Sequence, residues 1–156
     1  MKIAVKEVDK PLKILETTKI YRSDAAREHI GQDSTIQYVQ INPKDTLCMC
    51  VDEDGLPKEL PVNFLFPTSS PHFPIQKAVG TVVFTRHKWV NVFEEEIWDY
   101  EVTDLTDEDI ENIKNMLDEE YQVFLNKIFK DYGKGCIVVE PMDKEDLFKA
   151  LFGDIE

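Results

Sequence analysis

The chain has 156 residues, 42% hydrophobic and 31% charged, which fits one domain, or one domain plus an appended segment, with a core of its own and excludes disorder throughout. Its 31 Asp and Glu against 18 Lys and Arg give a net charge of −13, which argues against direct contact with a nucleic-acid backbone or an anionic membrane. The first residues, Met1-Lys2-Ile3-Ala4-Val5-Lys6-Glu7, carry no secretory apolar run, and stretches such as Val82-Val83-Phe84 are far too short to cross a bilayer, so a cytoplasmic protein is expected.

In chain order, residues 2–8 and 12–18 read as strands around a polar, φ-restricted Asp9-Lys10-Pro11 turn, and predict a hairpin. Ser23 is placed to cap a short helix through Ala25, Ala26 and His29, with Gly31 ending it in the left-handed conformation. Thr35 to Ile41 alternates as a strand, although periodicity does not name its buried face. Leu47 to Val51 is a more apolar strand. The turn Asp52-Glu53-Asp54-Gly55, with Gly55 at positive φ, then predicts a hairpin returning through Leu60 to Phe66. Residues 67–76 hold three prolines and two adjacent serines and read as an exposed loop. Strand character resumes at Gly80 to Arg86, rich in β-branched residues, and Trp89 to Phe93 extends or pairs with it.

At Leu105 to Ile110 the pattern changes. Thr106 is the expected N-cap, and the acidic residues after it complement the positive end of a helix dipole. Ile110, Ile113, Leu117, Tyr121, Phe124 and Ile128 fall on one stripe of a single long helix, stopped by Gly133 and Gly135. Cys136 to Glu140 reads as a short strand and Asp143 to Phe152 as a terminal helix. The expected fold is α+β in one domain over residues 1–156: a mainly antiparallel β-rich body over 1–105, then a helical extension over 106–156.

The charge is unevenly spread. Residues 1–93 sum to +1, residues 94–120 to −12 and residues 121–156 to −2, so one short stretch carries nearly all of the imbalance. A solvated loop and helix face is the plain account. The sharper one is an acidic docking surface, in which Glu94, Glu95, Glu96, Trp98 and Tyr100 present charge with interleaved aromatic anchors to a basic protein. In a stronger version, the carboxylates imitate a nucleic-acid phosphate rail.

Sites of chemistry are sparse. Cys48 and Cys50 sit two apart on a strand and point to the same face, and reduced, buried thiols are the default for them. A metal reading would add Cys136 and one of His29, His72 or His87, but no second ligand pair has zinc-site spacing, so no metal and no cofactor are assigned. Ser69, Ser70 and His72 lack a nucleophile elbow, Asp52 to Asp54 lack the calcium-loop pattern, and Gly133-Lys134-Gly135 lacks the phosphate-loop spacer. Arg86, His87 and Lys88 beside Trp89 form a small basic-aromatic patch suited to an anion or base.

Ile36 to Val39, the acidic turn with Gly55, Leu60-Pro61-Val62-Asn63, Gly80-Thr81-Val82-Val83 and Leu105 to Ile110 together resemble the family called domain of unknown function 3846, over roughly residues 1–117. The resemblance implies a phage or other mobile element as context, no enzymology, and a possible shared site around Asn63. An amide there can read a ligand with both donor and acceptor, although such an Asn more often satisfies neighbouring backbone. The expected function is a non-enzymatic accessory protein that binds a basic host or phage protein through its acidic region. The alternative is a small-ligand domain with a pocket between sheet and helices, near Asn63, Arg86 and His87. A hydrolase or transferase built from carboxylates is a third, and the oligomeric state is not encoded legibly.

Overall fold

The computed structural model describes residues 1–41, 46–68, 74–91 and 98–133. The elements in chain order are β1 (Lys2–Lys6), β2 (Lys13–Glu16), α1 (Arg22–Ile30), β3 (Ile36–Gln40), β4 (Leu47–Asp52), β5 (Val62–Pro67), β6 (Ile75–Val79), β7 (Val82–Asn91), β8 (Trp98–Thr103), α2 (Asp107–Leu117) and α3 (Glu119–Gly133). An antiparallel sheet followed by helices makes this an α+β protein. The strand and helix expected within 136–152 lie outside the described residues, as does the middle of the proline loop.

The chain divides into two compact units. The first comprises Met1–Asn63 and Val79–Lys114; the described part of the second is residues 64–68, 74–78 and 115–133. In the first unit, strands run in the order β2-β1-β7-β4-β3, with β8 also paired to β7. The ten-residue β7 organises this sheet: along one edge it pairs with β1 over Val82 to Phe84 and then with β8 over Arg86 to Asn91, while β4 holds its other edge. The β1–β2 hairpin forms as expected, with Asp9 at φ 59 in its turn.

Strand alternation sorts the side chains into two faces. One carries Ile3, Val5, Cys48, Cys50, Val83 and Val102, packed with Ala25 and Ala26 of α1 in one buried cluster; the two alanines let the helix backbone come close to the strands. The opposite face carries Ala4, Leu47, Met49, Val82 and Phe84, also buried. Burial on both faces explains why all six residues of β4 are inside and why that strand reads as a continuous apolar run.

Four local expectations change. First, α1 starts one residue before Ser23: Tyr21 is its N-cap without a side-chain cap bond, and Gly31 closes it at φ 151 and ψ 137, positive in φ but extended in ψ. Second, β4 does not form a hairpin with β5, because β3 and β7 already occupy both of its edges. The acidic segment instead winds through successive turns, with Lys58 N bonded to Asp54 O and Leu60 N to Gly55 O, and it is Glu59, at φ 57, that takes the positive φ assigned to Gly55. Gly55 is required for space, since a Cβ there would lie 2.6 Å from Val79 Cγ2. Third, β8 is a strand within the acidic stretch; Trp98, Tyr100 and Val102 alternate with Asp99, Glu101 and Thr103, a period of two that the charge density obscures.

Fourth, the single long helix is two. Asp118 ends α2 and caps α3: its Oδ2 accepts from Tyr121 N at 3.2 Å and its carbonyl from Gln122 N at 2.9 Å. The stripe therefore resets. In α3 it is Leu125, fully buried, with Tyr121, Ile128 and Phe129 that meets Leu65 and Ile75, while Phe124 is 45% exposed. That second unit pairs β5 with β6 and ties α3 to them through Gln122, whose amide donates to Leu65 O and accepts from Leu65 N, both at 2.9 Å, as a neighbouring strand would.

Candidate functional site

The start of α2 follows from its sequence. Thr106 Oγ1 accepts from Asp109 N at 3.0 Å and Asp109 Oδ2 accepts from Thr106 N at 2.8 Å, a reciprocal capping box that fixes the first turn. Asp109 thereby turns inward and is nearly fully buried, where Arg86 from β7 donates to both carboxylate oxygens at 2.6 and 2.7 Å and its Nη1 reaches Thr46 Oγ1 at 3.0 Å. Burial works against the charge on Asp109, but the Arg86 fork and the Thr106 bonds outweigh it and hold the carboxyl below its usual range. The same geometry sends the neighbouring carboxylates outward. Asp107, Glu108 and Glu111 are exposed, and none has an ion-pair partner among the described residues.

Of the acidic residues expected at a docking surface, Glu94, Glu95 and Glu96 lie outside the described residues. Trp98 begins β8, paired with Asn91. Tyr100 is brought to the α1 side of the sheet, where its ring engages Arg22 and His87 and is thus occupied within the protein. Glu101 pairs with Lys88 at 3.7 Å, and Asp104 accepts from Lys2 N at 2.6 Å.

The expected ligand-binding group does not assemble. Asn63 donates to Lys6 O at 2.7 Å and Gly80 O at 2.8 Å and accepts from Lys6 Nζ at 3.2 Å, so its amide joins backbone segments, the structural role weighed against ligand binding. Arg86 and His87 are adjacent on β7 and therefore point to opposite faces, Arg86 to Asp109 and His87 to Tyr100. The acidic turn is also structural: Asp52 accepts from Asp54 N at 2.9 Å and pairs with Lys58 at 2.8 Å.

A second polar cluster, which the sequence indicates only through its cysteine pair, lies on the α1 face. Register places Thr85 opposite Cys48 and Val83 opposite Cys50, so both thiols surround the Thr85 hydroxyl, at 3.3 and 3.8 Å. The Arg22 guanidinium lies between the rings of Tyr38 and Tyr100, 3.6 and 3.9 Å from their centroids, with Nη1 4.0 Å from Cys48 Sγ. Both thiols are free and buried. The first proton to leave is that of Cys48: the Cys50 S–H bonded to its sulfur, then His87, Thr85 and Arg22, prevail over burial and set it well below the ordinary thiol range. The same contact, with burial, raises Cys50. His87 stacks edge-on against Tyr100 at 4.6 Å, and its Nδ1 is buried without a hydrogen-bond partner among the described residues. Arg22, Tyr38 and Tyr100 carry no motif that announces this meeting; it is made by the paired register of β3, β4, β7 and β8 together with the bridge from Tyr21 to Glu101 that holds the start of α1 to β8.

No three of the described His, Cys, Asp and Glu side chains converge as a metal-ligand group, and Cys136 of the four-ligand reading lies outside the described residues. No described helix is long and apolar enough to cross a membrane. No family model, curated protein or solved structure matches this chain.

Proposed function

We propose that the chain is a non-enzymatic protein-binding module that takes a basic segment of a partner protein on the acidic surface at the start of α2. The observation that supports this most is the division of labour at the start of α2: Asp109 is neutralised internally by Arg86, whereas Asp107, Glu108 and Glu111 face solvent without an ion-pair partner among the described residues. Exposed like charges held on a capped helix attract a basic partner at long range without prior ordering, and raise association rate and selectivity more than contact area does. With the likeness to domain of unknown function 3846, the reading extends to a cytoplasmic accessory protein of a phage or mobile element, acting on a basic host or phage protein.

The test compares the wild-type chain with the triple variant Asp107→Asn, Glu108→Gln, Glu111→Gln as affinity bait in lysate of the native host. The expected result is a basic protein retained at low salt, released by about 0.3 M sodium chloride as screening shortens to a few ångströms, and lost from the variant. Equal retention by the two baits, or retention indifferent to salt, contradicts the reading. Circular dichroism checks that the variant is folded, since the replaced carboxylates support the helix dipole by only about 0.5 kcal/mol each.

A further inference from the structure

We propose that Cys48 and Cys50 bind one copper(I) ion between their sulfurs, shielded under α1. The two residues are separated by one position on β4 and face the same way, and both sulfurs lie within 3.8 Å of the same Thr85 hydroxyl. They are not a disulfide in waiting. Residues two apart on an extended strand have Cα atoms about 6.7 Å apart, at the far edge of disulfide geometry, with parallel Cβ vectors. β4 is also paired along both edges and would have to leave the sheet to bend them together.

The donor chemistry selects the ion. Two soft thiolates are a complete set for a monovalent copper ion in linear coordination, whereas zinc requires four ligands. Among the described residues no group of three or more His, Cys, Asp and Glu is placed to hold a metal ion, which disfavours a four-ligand zinc site. Copper(I) replaces two protons: two S–H bonds break, two Cu–S bonds form, two protons pass to solvent and no oxidation state changes. The resulting unit bears one negative charge. Arg22, with its Nη1 4.0 Å from Cys48 Sγ and no carboxylate partner among the described residues, supplies the opposing charge, and the Thr85 hydroxyl is placed to donate to sulfur. Near-complete burial of both sulfurs keeps water and oxidants away from a reduced ion.

The experiment uses the full chain, reduced and anaerobic, both equilibrated with and refolded in copper(I) buffered by the chromophoric chelator bicinchoninate. The expected result is one equivalent of copper withheld from the chelator, with X-ray absorption showing two sulfur neighbours. Cys48→Ser and Cys50→Ser each abolish retention, Cys136→Ser preserves it, and Arg22→Gln weakens it roughly 10-fold. Silver(I), a redox-inert analogue, should protect both thiols of the wild-type chain from alkylation in a denaturant concentration that exposes them in the metal-free chain, a readout independent of variant folding. Complete transfer of copper to the chelator in both arms overturns the proposal, as does loss of retention in Cys136→Ser or zinc(II) retention as tight as that of copper(I).

Discussion

Arg86 shows how strand alternation separates a side chain from the neighbours that the sequence groups it with. Its placement beside His87 and Lys88 gives a basic patch in the sequence, but strand alternation turns it to the other face, where it saturates Asp109. Removing that carboxylate leaves a cation in a largely desolvated place. Asp109→Asn should therefore lower unfolding free energy by about 3 kcal/mol, read from urea denaturation at neutral pH; a change below about 1 kcal/mol would mean the pair is no stronger than a surface bridge. The pH dependence follows from the sign of the shift. Asp109 and Asp52 both ionise more readily folded than unfolded: for each, hydrogen bonds and a cationic partner outweigh burial. Their contribution is thus fully present above the ordinary aspartate range and is lost as pH falls below about 4 through the depressed folded values. Urea midpoints measured downward from pH 6 should fall in that acid window, and fall less in Asp109→Asn; parallel curves for the two proteins would refute the assignment.

Among the elements, what was legible depended on whether a local rule competed with a distant one. The β1–β2 hairpin and the Thr106 cap were readable because turn and cap chemistry are contained within a few residues. The exposure of Asp107 and Glu108 was readable for the same reason. The false hairpin from β4 arose because an acidic turn with a glycine says nothing about whether the preceding strand has a free edge. The break at Asp118 was written in the sequence as Asp118-Glu119-Glu120, a second cap with an acidic first turn, but the apolar spacing runs on across it and masks it. Asp118→Ala should cost about 1 kcal/mol in the unfolding of α3, measured by chemical denaturation; an unchanged midpoint would leave the cap without energetic meaning. Half of the cysteine cluster was visible through the two-residue repeat of β4, while Arg22, Thr85 and Tyr100 reach it only through pairings that span dozens of residues.

For the whole molecule, a charge of −13 with −12 of it in residues 94–120 sets carboxylate against carboxylate. Raising sodium chloride from about 10 to about 150 mM shortens the screening length from roughly 30 to roughly 8 Å, so the thermal midpoint should rise. A midpoint that falls would show that paired charges such as Arg86 and Asp109 dominate the balance. The ten-residue β7 has a further consequence, for synthesis on the ribosome. Both ladders made by the first fifty-two residues, β1 with β2 and β3 with β4, join the main sheet only through β7. At about 5–20 residues per second, the nascent chain therefore spends several seconds with two incomplete sheet fragments, each presenting an unpaired apolar edge, before translation delivers the strand that unites them. Mutations that weaken β7 should therefore appear first as poor yield of soluble product.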